Sequence, residues 1–174
     1  MHAFSGYNYP MITLYLDMDG VLADFNKEYT KYDPQKEDRK KFREAVLTHN
    51  IFEKLDFMPD TQELLNHVCK LRDVNIEILT SMGTHETNQA TMAKMQKLKW
   101  LNDKNIPYRA NFVHNKQEKS KYATPTSILI DDSVGCISPF IAAGGHGILH
   151  SHASETIRIL DRSEEHTSEL QSLA

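Results

Sequence analysis

Ile12-Thr-Leu-Tyr-Leu-Asp-Met-Asp-Gly-Val-Leu-Ala-Asp-Phe25 is the stretch on which the reading of the chain turns. Ile12, Leu14 and Leu16 alternate with Thr13 and Tyr15, the period of a strand, and Gly20 allows a sharp turn just beyond it. Asp17 and Asp19 therefore stand at the carboxyl end of a strand. In open α/β sheets that is where ligands bind, so acids placed there point to chemistry. Two turn-forming aspartates are the bland alternative, since Asp and Gly are common in turns. Partners for the acids further along the chain weigh against it.

Downstream, strand and helix patterns alternate. Residues 26–50 are polar, with Tyr29, Tyr32, Phe42, Val46 and Leu47 as apolar anchors, which predicts a small helical cap. Pro59-Asp60-Thr61 starts a helix whose apolar face is Leu64, Leu65, Val68 and Leu71. Asn75–Thr80 reads as a second strand, running into Ser81 and Gly83. Residues 86–105 read as a helix with Met92, Met95, Leu98 and Leu101 inward and Lys94, Lys97, Lys99 and Lys104 on a solvated face. Residues 110–114 and 127–130 are further strands, the latter running into Asp131-Asp132, and a last unit passes from Gly145 through Ile148-Leu149 into a helix at 155–160. Such alternation predicts an α/β fold, a doubly wound parallel sheet with a small helical cap inserted after the first strand. The domain spans 11–160, with its core at 11–25 and 58–160 and its cap at 26–57.

At 174 residues one domain is expected, large enough to bury a sizeable core. Twenty Lys+Arg against 24 Asp+Glu give a formal charge of −4, which disfavours a long nucleic-acid partner. Cys69 and Cys136 have no metal-type spacing and read as buried or semi-buried thiols of a reducing compartment, so a cytoplasmic location is expected. The nine histidines, His146, His150 and His152 included, fit no zinc spacing. Nothing resembles a membrane span or a signal segment, so no membrane partner is expected. Self-association as a homodimer is left open. Met11 could serve as the natural start, with residues 1–10 as a leader. Residues 161–174, which contain Arg162-Ser-Glu-Glu-His-Thr-Ser-Glu-Leu-Gln-Ser172, resemble a translated sequencing adapter and read as a non-native tail.

The string Asp17-Met-Asp-Gly-Val-Leu-Ala-Asp-Phe25 resembles the first motif of the haloacid-dehalogenase-like (HAD) hydrolases, and more narrowly that of the 5'(3')-deoxyribonucleotidases. The resemblance implies a Rossmann-like core and a phosphomonoesterase working through an aspartyl phosphate on deoxynucleoside 5'- or 3'-monophosphates. It assigns Asp17 as nucleophile, Asp19 as acid and base, and Thr80 as a donor to the phosphoryl group, with Ser81 beside it. The residues alone leave Lys116, Lys119 and Lys121 open as the cation. The resemblance favours Lys121, ten residues before Asp131. It also implies Mg2+ held by Asp17, by the Asp19 carbonyl and by Asp132 with Asp131 in support. Electrostatics agree that a cation is needed, because two like charges about 4 Å apart repel by roughly 4 kcal/mol at an effective dielectric of 20, and one lysine cannot balance several carboxylates and a phosphate. Phe25 matches a base-stacking aromatic of the subfamily, and Phe52 is expected as a second. Phosphatases for other small esters or for polynucleotide 3' ends, and a noncatalytic phosphate-binding protein, are the alternatives.

Overall fold

The computed structural model describes residues 11–172, with side chains to residue 163. Residues 1–10, read as a leader, and the last two residues of the tail lie outside the described residues. Five strands form one all-parallel sheet in the order β3-β2-β1-β4-β5, where β1 is Ile12–Leu16, β2 Val74–Ser81, β3 Arg109–Val113, β4 Ser127–Asp131 and β5 His146–Leu149. The sequence places all five, and β2 is longer than read by one residue at each end. Between and after the strands lie α3 (Thr61–Val68), α4 (Thr87–Asp103), α5 (Val134–Ala142) and α6 (Ala153–Ser172), preceded by α1 (Phe25–Tyr29) and α2 (Asp38–Leu47) between β1 and α3.

The order turns back at β1: the chain adds β2 and β3 on one side and then returns to lay β4 and β5 on the other. The crevice at the carboxyl ends of β1 and β4 is thus a topological switch point. Register does the rest. Leu16 pairs with both Ile78 and Ile130, so the residues after β1, at the end of β2 and at the end of β4 reach one rim together. Leu14, Leu16, Ile78, Leu129 and Ile130 are buried beneath that rim. Strands covered on both faces need such continuous apolar character.

Residues 26–57 form α1, α2 and a short 3-10 turn at Ile51–Lys54. Their buried side chains Ala45, Val46, Ile51, Phe52 and Leu55 belong to the same cluster as the central strands. Helix α4 fastens this segment to the sheet. Gln96 Nε2 donates to the Val46 carbonyl (2.8 Å) and to Asn50 Oδ1 (3.2 Å), its Oε1 accepts from the Phe52 N–H (3.4 Å), and Trp100 Nε1 donates to the Leu55 carbonyl (2.8 Å). The inward face of α4 is Ala90, Ala93, Gln96, Lys97, Trp100 and Leu101, whereas Met95 and Leu98 are exposed. The expected Met/Leu face is therefore rotated. Small alanines let α4 approach closely, and the polar Gln96 and Lys97 take places that hydropathy alone would deny them.

Two further readings change. Cys69 is exposed, although Cys136 is buried as expected. Helix α6 does not end at Leu160 but continues unbroken through Ser172, and Asp161 pairs with His67 of α3 at 3.0 Å. Residues 161–172 contain no Gly or Pro to stop it. Among the described residues no helix is long and apolar enough to cross a membrane.

Candidate active site

Asp17 follows β1 directly, and its N–H donates to the Ile130 carbonyl at 3.0 Å, extending the β1–β4 ladder by one residue. That bond sets the Asp17 carboxylate beside Asp131 at the end of β4. Between the two lies Lys119, 1% exposed, whose Nζ is 2.8 Å from Asp17 Oδ1 and 2.6 Å from Asp131 Oδ2. Burial works against its charge, but the two carboxylates prevail and hold its pKa above the ordinary lysine value. Asp131 is itself raised by burial and by the nearby Asp17 charge, against the pull of Lys119.

Lys121, the lysine favoured on spacing, is not in the site. Its side chain is 71% exposed and faces Glu118 at 3.9 Å. Both lysines ride on a 3-10 segment, Lys116–Tyr122. With three residues per turn, positions two apart point in different directions, so only one of the pair can face Asp17. Lys116 stays outside the crevice floor, donating to Ser133 Oγ at 3.5 Å.

Asp19 lies two residues beyond Asp17 on the turn closed by Gly20, whose N–H donates to the Ala23 carbonyl at 2.9 Å. Gly20 has φ +84°, and a Cβ there would overlap the Asp132 carboxylate. The Asp-Gly step thus brings the backbone against Asp132, which a side chain would prevent. Asp19 Oδ2 accepts from Lys97 Nζ at 2.6 Å, while its Oδ1 is buried without a hydrogen-bond partner among the described residues. Burial raises the Asp19 pKa, opposed chiefly by Lys97, which favours the protonated form an acid requires.

Lys97 is a residue that sequence reasoning missed. It is 0% exposed, and its Nζ also donates to Thr80 Oγ1 at 2.7 Å. Thr80, fully buried at the end of β2, therefore stands in the crevice with Asp17 and Asp19. Ser81 is engaged elsewhere. Its hydroxyl donates to the His114 carbonyl (3.1 Å) and accepts from the Gly83 N–H (3.0 Å), so it ties the loop after β2 to the residue that follows β3.

Oxygens of Asp17, Asp131 and Asp132 lie within 4.8 Å of one another. Asp131 already accepts from Lys119 and, through Oδ1, from the Ser133 N–H at 2.9 Å. Asp132 has no donor from another residue among the described residues, and burial, with the charges of Asp17 and Asp131, pushes it up to about 6. A compact set of hard oxygen donors with surplus negative charge fits a hard divalent cation, and Asp17 and Asp132 are the side chains best placed to hold one.

The two aromatics expected to hold a base pack on other side chains. Phe25 stacks with Tyr29 (centroids 4.9 Å apart, 24°) and with Phe52 (5.7 Å, 25°), and meets Phe42 in a T-shaped contact. Phe52 is 2% exposed and lies under Lys97, 4.5 Å from Nζ to the ring centroid. Phe52 is thus closed off, whereas Phe25 is half-buried and lines an open cleft. This cleft of about 720 Å³ opens between α2 and the loop after β2, lined by Phe25, Tyr29, Arg39, Phe42, Arg43 and Gly83 among others. Phe42 closes on Gly83, where a Cβ would lie 2.8 Å from its Cζ, and Arg43 pairs with Glu86.

No family model matches this sequence, and no curated protein does. Solved structures do resemble it. A hydrolase from Streptococcus pneumoniae TIGR4 superposes with a TM-score of 0.54 at 14% identity, over 88% of this chain and 100% of that one. A haloacid dehalogenase-like family hydrolase from Xanthomonas campestris superposes with a TM-score of 0.56 at 14% identity, over 90% of this chain and 94% of that one. The five-stranded parallel sheet with its flanking helices is thus the Rossmann-like fold of the haloacid dehalogenase-like hydrolases.

Proposed function

We propose that the protein is a magnesium-dependent phosphomonoesterase that works through an aspartyl phosphate on Asp17 and acts on deoxynucleoside monophosphates. The observation that carries the chemistry is the convergence of Asp17, Asp19, Thr80, Lys119 and Asp131-Asp132 on one crevice at the carboxyl ends of β1, β2 and β4. An Asp17 oxygen attacks phosphorus and forms a new O–P bond as the ester P–O bond breaks. The departing oxygen takes the proton of Asp19. Asp19 then removes a proton from water, whose oxygen attacks phosphorus, releasing inorganic phosphate and restoring the Asp17 carboxylate. Lys119 holds and orients Asp17, and Thr80 donates to a phosphoryl oxygen. A divalent ion between Asp17 and Asp132 would supply positive charge against the phosphoryl oxygens. The nucleotide assignment is supported by the string 17–25 and by the cleft lined by the aromatic rings of Phe25, Tyr29 and Phe42, with charges of both signs around them.

A panel of deoxynucleoside 5'- and 3'-monophosphates, sugar phosphates and p-nitrophenyl phosphate, with and without magnesium, tests the reading. Phosphate release should require magnesium, stop on adding a chelator and return when magnesium is restored in excess. Turnover that a chelator leaves untouched would remove the ion from the scheme, and preference for sugar phosphates would remove the nucleotide. Gly20→Ala gives an independent check on the Asp132 side. Its positive φ and its contact with Asp132 both resist a methyl group, so the magnesium concentration for half-maximal rate should rise about 10- to 100-fold, the usual scale for disturbing the support of a metal ligand. An unchanged magnesium response would detach Asp132 from the ion.

A further inference from the structure

Lys97 is a buried cation for which the reaction above has no use. It reaches the crevice from the middle of α4, far along the chain from either acid, and its Nζ lies 2.6 Å from Asp19 Oδ2 and 2.7 Å from Thr80 Oγ1 with the Phe52 ring beneath it. An ammonium group donates three protons and accepts none. The Thr80 oxygen must therefore accept from it, which leaves the Thr80 O–H to seek a different acceptor. Asp19 is constrained in the same sense. Its Oδ2 is taken, and its buried Oδ1 has no hydrogen-bond partner among the described residues.

We propose that Lys97 is a positioning residue, which by occupying Asp19 Oδ2, with Thr80 Oγ1 as its second anchor, directs Asp19 Oδ1 toward the ester oxygen. The role rests on the phosphomonoesterase reading. Lys97 touches neither substrate nor phosphorus; it acts through Asp19. As the P–O bond breaks, the proton passing to the leaving alcohol comes from Asp19 Oδ1, while Oδ2 remains against Lys97.

The dependence on the leaving group separates this role from mere support of the fold. An alkoxide needs the proton as it departs, whereas 2,4-dinitrophenolate leaves without it. Lys97→Met should therefore lower kcat/KM for glycerol 2-phosphate by about 100-fold, the lower end of what a placed general acid contributes, and for 2,4-dinitrophenyl phosphate by less than about fivefold on the same scale. In an Asp19→Asn background the same substitution should cost less than about twofold, since residues acting as a unit are not additive. Circular dichroism and Tm establish that each variant is folded. If Lys97→Met does not fold, Lys97→Leu, which likewise lacks a donor, carries the same comparison. Equal losses on the two esters, or a loss undiminished beside Asp19→Asn, would overturn the positioning role alone. A wild-type protein that releases phosphate from neither ester would overturn the phosphatase reading and this role with it.

Discussion

Replacing Asp17 with asparagine should abolish turnover while leaving the protein folded. The amide has the shape of the carboxylate but lacks its charge and its nucleophilicity, so kcat should fall on the order of 10⁴-fold or more, as when other enzymes lose their nucleophile. The fold should tolerate the change. The Asp17 backbone bond to Ile130 does not involve the side chain, and Lys119 retains Asp131 at 2.6 Å. Kinetics with any accepted ester and a thermal melt on the same sample make the comparison. A variant with activity near wild type would eliminate Asp17 as nucleophile, whatever else the crevice does.

Lys119→Met should be nearly as damaging to activity and far more damaging to stability. The ammonium sits 2.8 Å from Asp17 and 2.6 Å from Asp131, and both carboxylates would be left buried without their common partner. Removing one member of a buried ion pair costs about 3–5 kcal/mol. For a chain of this size that lowers Tm by roughly 6–20 °C. Lys121→Met, two residues on, removes an exposed cation 3.9 Å from Glu118 and should stay within about 0.5 kcal/mol of wild type, with an unchanged rate. If the two variants exchange these phenotypes, the site has been built around the wrong lysine.

The contrast between these lysines marks the limit of what the sequence could tell. Asp17, Asp19 and Asp131-Asp132 were legible because each lies at or just beyond the carboxyl end of an apolar strand, and parallel pairing through Leu16, Ile78 and Ile130 gathers strand ends without further information. The identity of the lysine depends on which way a 3-10 turn rolls, and a count of residues to Asp131 does not contain that. Lys97 was hidden among Lys94 and Lys99 of the same helix and Lys104 at its C-cap. One signal could have found it. Ala93, Lys97, Trp100 and Leu101 follow helical spacing down a single stripe, and Lys97 is the one lysine on the buried face of α4. The surroundings of the two aromatics were not legible either, for a different reason. The resemblance implies base contacts for Phe25 and Phe52; in the fold Phe52 is buried against Phe42 and Lys97, and Phe25 packs on Tyr29 and Phe42 while lining the cleft, and such packing of one side chain on another appears only in three dimensions.

Helix α4 also bears on how this scaffold could be re-engineered. Gln96 and Trp100 grip the backbone of residues 46–55, while Lys97, on the turn between them, grips Asp19 and Thr80. Grafting a foreign segment between β1 and α3 to alter substrate choice would therefore require co-transplanting this stretch of α4. A graft that left Gln96 and Trp100 without carbonyls to bind would strand buried donors and shift Lys97 with them. Selectivity and catalytic geometry are in this sense inherited as a single module, and chimeras should be cut on either side of α4, never within it.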